Sequence, residues 1–365
     1  MKINYRHLPV IKPEGRREST IRFYDKKNPY FEFSNYFPFS IDIHSVSYPS
    51  SENYYQAQKF VYIGASPDTL NYSDIVAQTN TPNKARILAL QKLGGGYKWR
   101  TDLNSIIQEY KEKGVRMDPN WDEAKDNVMR RVVYAKFRNT KLQEKLLQTY
   151  PSTLIEASPR DDYWGEGKHK TGKNKLGRIL EEVRFIIRIL EDQPLSIPPP
   201  PYKKSQWVIP GILLASAYSE SDKIVQDMVD KGQITVFVDL IDKKQRKRMN
   251  LYPYFDSPTF DQKYISFPIE DRKIQDDEET FTIASNLASF ISQGEVIVIH
   301  CLGGKGRTGV IVALMMWLLY GMTSKDVLYF TEKNFHFRKD KGKRCLHSPQ
   351  TRTQIAQVKR IINSI

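Results

Sequence analysis

One segment near the C-terminus constrains the fold of this chain more than any other: His300-Cys301-Leu302-Gly303-Gly304-Lys305-Gly306-Arg307-Thr308-Gly309. It follows the apolar run Val296-Ile297-Val298-Ile299 and precedes a helical pattern that starts near Val310. A buried strand that turns directly into a helix is typical of an α/β unit. The glycines of the turn allow the backbone to curl, so that successive N–H groups converge on one point.

The residue types in this turn fit the hydrolysis of a phosphate monoester. Arg307 can bind two phosphate oxygens at once, and the N-terminus of the following helix adds partial positive charge. The same field lowers the pKa of the Cys301 thiol, which predicts a thiolate that attacks phosphorus. We expect His300 to orient the loop and Thr308 to donate to the sulfur. The phosphate would be bound by the remaining loop positions, Gly303, Gly304, Lys305, Gly306 and Gly309.

The chain has 365 residues, which is more than one typical domain needs and enough for two. The clearest boundary is the segment 191–204, whose four consecutive prolines favour a semi-rigid polyproline II spacer. Before it, apolar residues at helical spacing predict a core-facing helix: Leu176, Ile179, Leu180, Val183, Ile186, Ile187 and Leu190. We therefore predict one domain over residues 1–190, a linker over 191–204 and a second domain over 205–365.

The two domains differ in their predicted fold class. In the second domain, apolar runs at 234–238, 264–269 and 296–299 predict buried strands, and the stretches 221–231 and 280–292 predict helices between them. This alternation predicts an α/β fold with a central, mostly parallel sheet flanked by helices. The first domain has the composition of a helix-rich α+β domain with many aromatic residues.

Composition and charge limit the environment and the partners. The longest apolar run, Val310 to Tyr320, is too short to span a bilayer, and no N-terminal stretch has the order of a signal peptide. Two cysteines, Cys301 and Cys345, argue against a disulfide framework, so we expect a cytoplasmic protein without a membrane partner, a metal or a cofactor. The net charge is +14, with basic runs at 243–248 and 338–344. These runs are either solvated loops or attractors of a polyanionic substrate, which keeps nucleic acid open as a partner.

The Cys301 segment resembles the signature of the protein tyrosine and dual-specificity phosphatase superfamily, H-C-x5-R-[ST]. The segments 207–215, 267–271 and 348–354 resemble the entry segment, the general-acid loop and the late glutamine segment of small members. The resemblance covers nearly all of residues 205–365 and implies a cysteinyl-phosphate intermediate. It also implies that Asp271 protonates the leaving group and that Gln354 positions the hydrolytic water. Three nearby carboxylates remain alternatives to Asp271, namely Glu270, Asp276 and Asp277.

A second series of motifs runs through the first domain. It comprises Phe33-Ser34-Asn35-Tyr36-Phe37, the segment 48–60, Arg100-Thr101-Asp102, Val128-Met129, Ala135-Lys136-Phe137, the segment 154–161, Trp164-Gly165-Glu166-Gly167 and Asn174-Lys175-Leu176-Gly177. The series resembles the YbiA-like, or NADAR, family over about residues 20–190. Asn53 and Leu103 depart from it, because the family usually has histidine and tryptophan there. The resemblance implies N-glycosidic substrates linked to ADP-ribose or a ribosylamine, including ADP-ribose on guanine bases.

The same residues suggest a sugar site on physical grounds. On a helix, Glu52, Gln56 and Lys59 fall at i, i+4 and i+7 and share a face. A carboxylate and an amine on one face can serve acid/base or covalent chemistry at a sugar carbon. Trp164 with Gly165 is suited to stacking a base or a nicotinamide-like ring. The remaining candidates are Asp161 and Glu156 for ribose hydroxyls or an oxocarbenium-like sugar, Arg100 for a phosphate, and Asn174 for the substrate.

Purely structural roles remain open for several of these residues. Taken alone, Glu52 and Lys59 favour an exposed ion-paired face over a site, and Trp164 alone favours a core position. Lys136 fits a helix surface, with Phe137 packing beneath it. The sequence leaves the nucleophile and the base of the first domain unassigned.

Together the two motif sets predict a bifunctional hydrolase of ADP-ribose or NAD-derived metabolism. The first domain would hydrolyse an N-glycosidic bond to ribose, and the second a phosphate monoester. The substrates would be phosphorylated and ADP-ribose-derived small molecules or macromolecules, for example ADP-ribose with an extra phosphate. Two alternatives remain. One is a protein tyrosine or dual-specificity phosphatase with an N-terminal reader of ADP-ribose, and the other is removal of 5′-phosphates from RNA.

Overall fold

The computed structural model describes residues 19–27, 29–90, 101–258, 260–341 and 347–364, with the backbone alone at 101 and 102. The described chain divides into two compact units, 19–183 and 184–364. The division falls within the helix Lys175–Leu190. The domain limits at 190 and 205 that the sequence suggests stay a prediction.

The N-terminal unit is rich in helices and has two small sheets. Strand β1 (Thr20–Phe23) pairs in parallel with β4 (Thr153–Glu156), and β2 (Ile41–Ile43) pairs antiparallel with β3 (Val46–Tyr48). The helices are α1 (Ser51–Ala57), α2 (Pro67–Ala77), α3 (Pro82–Leu90), α4 (Thr101–Glu112), α5 (Trp121–Phe137), α6 (Thr140–Gln148) and α7 (Lys175–Leu190). The predicted helix-rich α+β class is confirmed.

Helix α1 is shorter than the sequence pattern predicts. It ends at Ala57, and Lys59 lies in a 3-10 turn, Gln58–Phe60, so the expectation of one α-helix from Glu52 to Lys59 was wrong. The last turn tightens because Phe60 is fully buried, 5.0 Å from the Tyr72 ring, whereas Val61 is already extended.

Asn53, one of the two departures from the family pattern, has a structural role. Its amide nitrogen donates to the carbonyl oxygens of Ala77 (3.1 Å) and Thr79 (2.8 Å) at the end of α2. Its amide oxygen accepts from Ser50, the N-cap of α1, at 2.7 Å. The side chain therefore fastens α1 to α2. Leu103, the other departure, is buried.

The C-terminal unit is built on one five-stranded sheet of order β5-β6-β9-β7-β8. Its strands are β5 (Ser205–Ile209), β6 (Leu213–Ser216), β7 (Val236–Ile241), β8 (Lys263–Ile269) and β9 (Ile297–His300). Only β5 and β6 pair antiparallel, so the predicted mostly parallel sheet is confirmed. The helices are α8 (Asp222–Gly232), α9 (Lys243–Arg248), α10 (Asp277–Ser292), α11 (Gly306–Tyr320), α12 (Ser324–Phe335) and α13 (Arg352–Ser364).

The middle of this unit is its most apolar part. Every residue of β9 is buried, and α11 is buried at all positions except Trp317. A strand that is covered on both faces, or a helix that is covered all round, has a continuous apolar sequence instead of an alternating one. The carboxyl end of the central strand is the place where open α/β sheets bind their ligands, and here it leads into the loop at 301–305.

The basic run at 243–248 is a helix rather than a loop. Asp242 caps α9 by accepting from the Gln245 backbone N–H at 2.8 Å. Gln245 is buried, and Arg246 forms an ion pair with the fully buried Asp239. At least one cation of this run therefore serves the interior instead of an approaching polyanion.

Part of the proline-rich segment also packs within the C-terminal unit. Asp192 accepts hydrogen bonds from Tyr329 (2.7 Å) and Lys333 (2.6 Å) of α12. Ile197 packs against the hydrophobic cluster around Trp207. Within the described ranges, no helix is long and apolar enough to cross a membrane.

The close approach of α7 to β4 gives a test of the N-terminal fold. A Cβ on Gly177, in the first turn of α7, would overlap the backbone oxygen of Leu154 in β4. Because a backbone atom cannot move aside cheaply, we expect Gly177→Ala to lower the free energy of unfolding by about 2 kcal/mol. Arg178→Ala, at the exposed neighbouring position, should change it by less than about 0.5 kcal/mol. Chemical denaturation measures both, and equal stabilities would contradict this packing.

Candidate active sites

The loop after β9 curls as the glycine pattern predicts. Gly304 has φ +63, and a Cβ there would overlap the Ser216 carbonyl at the end of β6. Only glycine fits both constraints. Gly306 begins α11 and Gly309 lies in its first turn, which brings the N-terminus of a fifteen-residue helix next to Cys301.

The Cys301 thiol is buried and electrostatically favoured as a thiolate. Burial alone raises its pKa, but the Arg307 charge and hydrogen bonds from Thr308 and from the Lys305 backbone outweigh burial, so the pKa lies below its usual value. The Thr308 hydroxyl is buried without an oxygen or nitrogen partner among the described residues, which leaves it to the sulfur.

Arg307 connects the loop to the carboxyl ends of β7 and β8. Its Nη1 donates to the carbonyl oxygens of Ile269 (2.8 Å) and Leu240 (3.3 Å), and its Nη2 donates to Asp271 Oδ1 at 3.0 Å. The Arg307 side chain is 2% exposed, whereas the Asp271 side chain is 46% exposed. The arginine is therefore fixed and the carboxylate stands at the surface of the cavity.

The cavity brings together most of the residues predicted for this domain. Its lining consists of Cys301, Gly303, Lys305, Gly306, Arg307, Asp271 and Gln354, together with Arg272 and Gln350. Two of the three alternative carboxylates have other roles. Asp276 caps α10 by accepting from the Glu278 backbone, and Asp277 pairs with Arg360 at 2.6 Å. The third, Glu270, is exposed and does not line the cavity.

Gln354 is fully buried and its amide is occupied by backbone groups. The amide oxygen accepts from the backbone N–H groups of Gln350 and Thr351, both at 3.1 Å, and the amide nitrogen donates to Lys273 O at 3.2 Å. Gln350, one turn earlier and partly exposed, lines the same cavity. Gln350 was not predicted as a site residue, although its place four residues before Gln354, ahead of a helical pattern, was a usable signal.

His300 is held behind the loop by residues that no sequence motif indicated. Its Nε2 lies 2.6 Å from the Tyr254 hydroxyl, and its Nδ1 lies 3.8 Å from Asp239 Oδ1, beyond hydrogen-bond distance. Burial lowers the pKa of His300, which keeps the ring neutral. Asp239 is itself held by Arg246 and by Tyr264 at 2.8 Å.

In the N-terminal unit, the polar face of α1 is buried. Gln56 donates to Glu52 Oε1 at 2.7 Å, and both residues are less than 10% exposed. Burial raises the pKa of Glu52 against the opposing charges of Lys59 and Arg86, and burial lowers the pKa of Lys59. The exposed ion-paired face is therefore the wrong interpretation, and Lys59 faces Glu52 although it has left the α-helix.

Two further carboxylates approach Glu52 from other elements. Burial, followed by the charges of Asp161 and Glu52, raises the pKa of Glu156 to about 8. Glu156 Oε2 has no hydrogen-bond partner among the described residues. Asp161 Oδ1 accepts from the backbone N–H groups of Tyr163 (2.9 Å) and Trp164 (2.7 Å), which fixes the loop that carries the tryptophan.

Aromatic rings stand beside these carboxylates. Tyr55 packs edge-on against Trp121 at 5.1 Å and against Trp164 at 5.5 Å between ring centroids. The Lys59 ammonium lies 5.9 Å from the Tyr55 and Trp121 rings. Trp164 is only partly buried, so one of its surfaces stays available for a planar group.

Two other predicted residues of this unit, Asn174 and Gly165, support strand β4. Asn174 accepts from the Glu156 backbone (2.9 Å) and donates to Leu154 O (2.8 Å), so its amide supports β4. Gly165 packs tightly under the same strand, because a Cβ added to it would lie 2.8 Å from the Glu156 backbone oxygen. Arg100 lies outside the described residues.

The sequence did not indicate the positions of two cations of the N-terminal unit, Lys136 and Arg86. Lys136 is 1% exposed, donates to Ser34 O at 2.8 Å, and has its pKa lowered to about 7 by burial, so the helix-surface interpretation was wrong. Arg86 in α3 acts on both Glu52 and Lys59. No motif singled out Arg86, because its relation to α1 is a tertiary contact.

Comparison with known proteins assigns both units to families. The model of the NADAR domain matches residues 22–188, and the model of the Swiss Army Knife protein DSP-PTPase phosphatase domain matches residues 202–357. N-glycosidase YbiA of Escherichia coli (strain K12) is 30% identical over 169 residues, which is 46% of this chain and 88% of YbiA. An N-glycosidase of Nostoc punctiforme is 35% identical over 172 residues, covering 47% and 94% of the two chains.

A solved structure of kinase associated phosphatase resembles the C-terminal unit. It is 15% identical, has a TM-score of 0.36, and covers 42% of this chain and 86% of its own. By the family matches, both units fall into families of enzymes. The chain belongs to the NADAR family, with a phosphatase domain of the DSP-PTPase type C-terminal to the NADAR domain. Both resemblances stated from the sequence are confirmed.

The carboxylate cluster predicts a pH-dependent stability. The folded pKa of Glu156, about 8, lies above its ordinary value of 4.5, so between these values the unfolded chain loses the proton first and stability falls as pH rises. Glu156→Gln removes this penalty. We compare the midpoints of thermal unfolding of this variant and the parent. The variant's midpoint minus the parent's should be at least about 3 °C larger at pH 8 than at pH 5.

The control for this change is Glu144→Gln, which alters an exposed glutamate of α6. Its offset from the parent should be the same at both pH values. Scanning calorimetry at pH 5, 6, 7 and 8 measures the three proteins, and a parallel course of the Glu156→Gln and parent curves would contradict the raised pKa.

Proposed function

We propose that the chain is a bifunctional hydrolase of ADP-ribose or NAD-derived compounds. The N-terminal domain hydrolyses an N-glycosidic bond to ribose, and the C-terminal domain hydrolyses a phosphate monoester through a cysteinyl-phosphate intermediate. One observation carries the proposal: each family match contains its own set of buried, electrostatically shifted side chains, around Cys301 in one and around Glu52 in the other. The N-glycosidase names of the YbiA relatives support the first activity.

The phosphatase reaction follows from the loop geometry. A phosphate dianion binds to the N–H groups of the loop and to Arg307, and it displaces Asp271 from the guanidinium. The Cys301 thiolate attacks phosphorus, so a P–S bond forms as the P–O bond of the ester breaks. Once released from Arg307, Asp271 takes up a proton from solvent and gives it to the leaving oxygen as the P–O bond breaks. Water then attacks phosphorus, Asp271 takes a proton back, and the P–S bond breaks with Thr308 donating to the sulfur.

We assign the placement of the attacking water to the two glutamines together. Gln350 lines the cavity with Cys301, and Gln354 holds the Gln350 backbone through its amide oxygen at 3.1 Å. Gln354 would then position the hydrolytic water indirectly, by holding Gln350 in place. Arg272 and Lys305 at the cavity add positive charge, which favours substrates with further phosphate groups.

The glycosidase reaction uses the carboxyl groups of the buried cluster. Glu156, neutral at pH 7 because of burial and its negative neighbours, gives a proton to the leaving nitrogen. Asp161 and Glu52 stabilise positive charge on the ribose carbon, and one of them directs the water. Trp164 stacks on the base, while Lys59 limits the net negative charge of the cluster.

Substitutions at the phosphate loop test the C-terminal activity. Cys301→Ser should abolish hydrolysis of ADP-ribose phosphates, because a hydroxyl is not ionised at neutral pH. Asp271→Asn should lower kcat about 10²-fold for these sugar phosphates, and far less for p-nitrophenyl phosphate, whose leaving group needs no proton. The matched control is Glu270→Gln, the exposed neighbouring carboxylate, which should retain full activity.

Phosphopeptides and a 5′-phosphorylated RNA complete the substrate panel. A preference of at least tenfold in kcat/KM for ADP-ribose phosphates is expected. Sequence-dependent hydrolysis of phosphopeptides, or a preference for the RNA, would overturn the proposed substrate class, and phosphatase activity in Cys301→Ser would overturn the mechanism.

A second pair of variants tests the N-terminal activity. Glu52→Gln and Lys59→Met should each lower the release of ADP-ribose from modified guanine DNA by about 10²-fold, because they disturb the charge balance of the buried cluster. The matched controls are Glu109→Gln and Lys113→Met, which alter an exposed pair 2.7 Å apart in the same unit. Unchanged release by the first pair, measured by chromatography of the products, would refute the site.

A further inference from the structure

One cation near the phosphate loop has no role in the reaction described above. Arg338 belongs to the basic run at 338–344, for which the sequence suggested a solvated loop or a surface for polyanions. Its side chain is instead in the interior, 2% exposed, and stacks 5.0 Å from the Phe335 ring at the end of α12.

The guanidinium of Arg338 is bonded to neutral oxygens. Nε donates to Gln206 Oε1 at 2.7 Å, and Nη1 donates to Gly303 O at 2.8 Å. Nη2 donates to Gly304 O at 3.0 Å and to Ala215 O at 3.5 Å. None of the ion pairs among the described residues includes Arg338. A buried cation without a carboxylate is costly unless opposite charge lies close by.

The two loop carbonyls that Arg338 binds determine where the neighbouring N–H groups point. In a planar trans peptide the N–H lies opposite the C=O. When Arg338 holds the oxygens of Gly303 and Gly304, the N–H groups of Gly304 and Lys305 must face the other way. The Lys305 N–H hydrogen-bonds the Cys301 sulfur, as does the Thr308 backbone. A cation on the carbonyl also polarises the peptide and strengthens its N–H as a donor.

The surrounding charges identify the thiolate as the counter-charge. Burial lowers the pKa of Arg338 to about 10, and the Cys301 charge is the largest influence against it, followed by Tyr202 and Asp340. Two other arginines of this domain have carboxylate partners of their own, Arg307 with Asp271 and Arg246 with Asp239.

We propose that Arg338 is a positioning residue of the phosphate loop: it fixes two peptide groups so that their N–H groups face the sulfur and the phosphate, and it supplies buried positive charge from behind. This inference rests on the proposed phosphatase function of the same loop. Arg338 does not touch the substrate. It acts through the peptides 303–304 and 304–305 and through its field at Cys301.

The test measures the thiol directly, in a Cys345→Ser background that leaves Cys301 as the one cysteine of the chain. The rate of alkylation by iodoacetamide between pH 4 and 9 gives the pKa of Cys301. Arg338→Met keeps the unbranched, flexible stem of the side chain and removes charge and donors, so we expect that pKa to rise by about one unit. Protection of Cys301 by inorganic phosphate should need at least about tenfold more phosphate.

The matched control is Lys339→Met, the exposed next residue of the same basic run. It should leave the pKa of Cys301 and the phosphate protection unchanged. If Arg338→Met does not fold, as judged by its circular dichroism and thermal unfolding, Gln206→Glu replaces it. This isosteric change offers Arg338 a carboxylate at the 2.7 Å contact, neutralises its field and should raise the pKa of Cys301 in the same direction.

A folded Arg338→Met or Gln206→Glu protein with the parent pKa and the parent phosphate protection would overturn the proposal. Alkylation needs no turnover, so this result is separate from the proposed function. If the parent hydrolyses no phosphate ester while the thiol pKa still responds to Arg338, the positioning role stands and the phosphatase activity fails.

Discussion

The C-terminal domain depends on holding negative charge at the carboxyl end of β9. A thiolate, and a phosphate dianion beside it, are unfavourable inside a protein unless fixed dipoles and cations surround them. The N-terminus of α11, the Lys305 N–H and Arg307 act from the front of the loop. Because Arg307 is itself held by the carbonyls of β7 and β8, the sheet order places the cation as firmly as it places the nucleophile.

The N-terminal domain shows the opposite electrostatic arrangement. Glu52, Glu156 and Asp161 come from α1, from β4 and from the loop that follows it, and their mutual repulsion adds to burial in raising the pKa of Glu156. Such a cluster lowers the stability of the folded chain as pH rises from about 4.5 to about 8, so packing elsewhere must compensate. The tight contact of α7 with β4 and the Asn53 amide are two of these compensating features.

The sequence was sufficient for features that depend on local order along the chain. A strand, a glycine-rich turn and a helix lie within about 25 residues, so Cys301, Arg307 and the central sheet were predictable, and so was the helix-rich class of the first domain. The partners of His300 and the role of Arg338 were not, because Tyr254 and Gln206 lie 46 and 132 residues away from them along the chain. The end of α1 at Ala57 could not be predicted from the spacing of the apolar residues, because it depends on the burial of Phe60, which is a tertiary contact.

The charges of the two sites also bear on which substrate could use both. The carboxyl groups around Glu156 suit a ribose carbon that becomes positive as the N-glycosidic bond breaks. The loop around Cys301 favours a dianion, because its backbone N–H groups converge on one point. Under the proposed function, a molecule that carries an N-ribosyl bond at one end and a phosphate monoester at the other would present each site with the charge that it binds best. A phosphoprotein would engage the Cys301 loop alone.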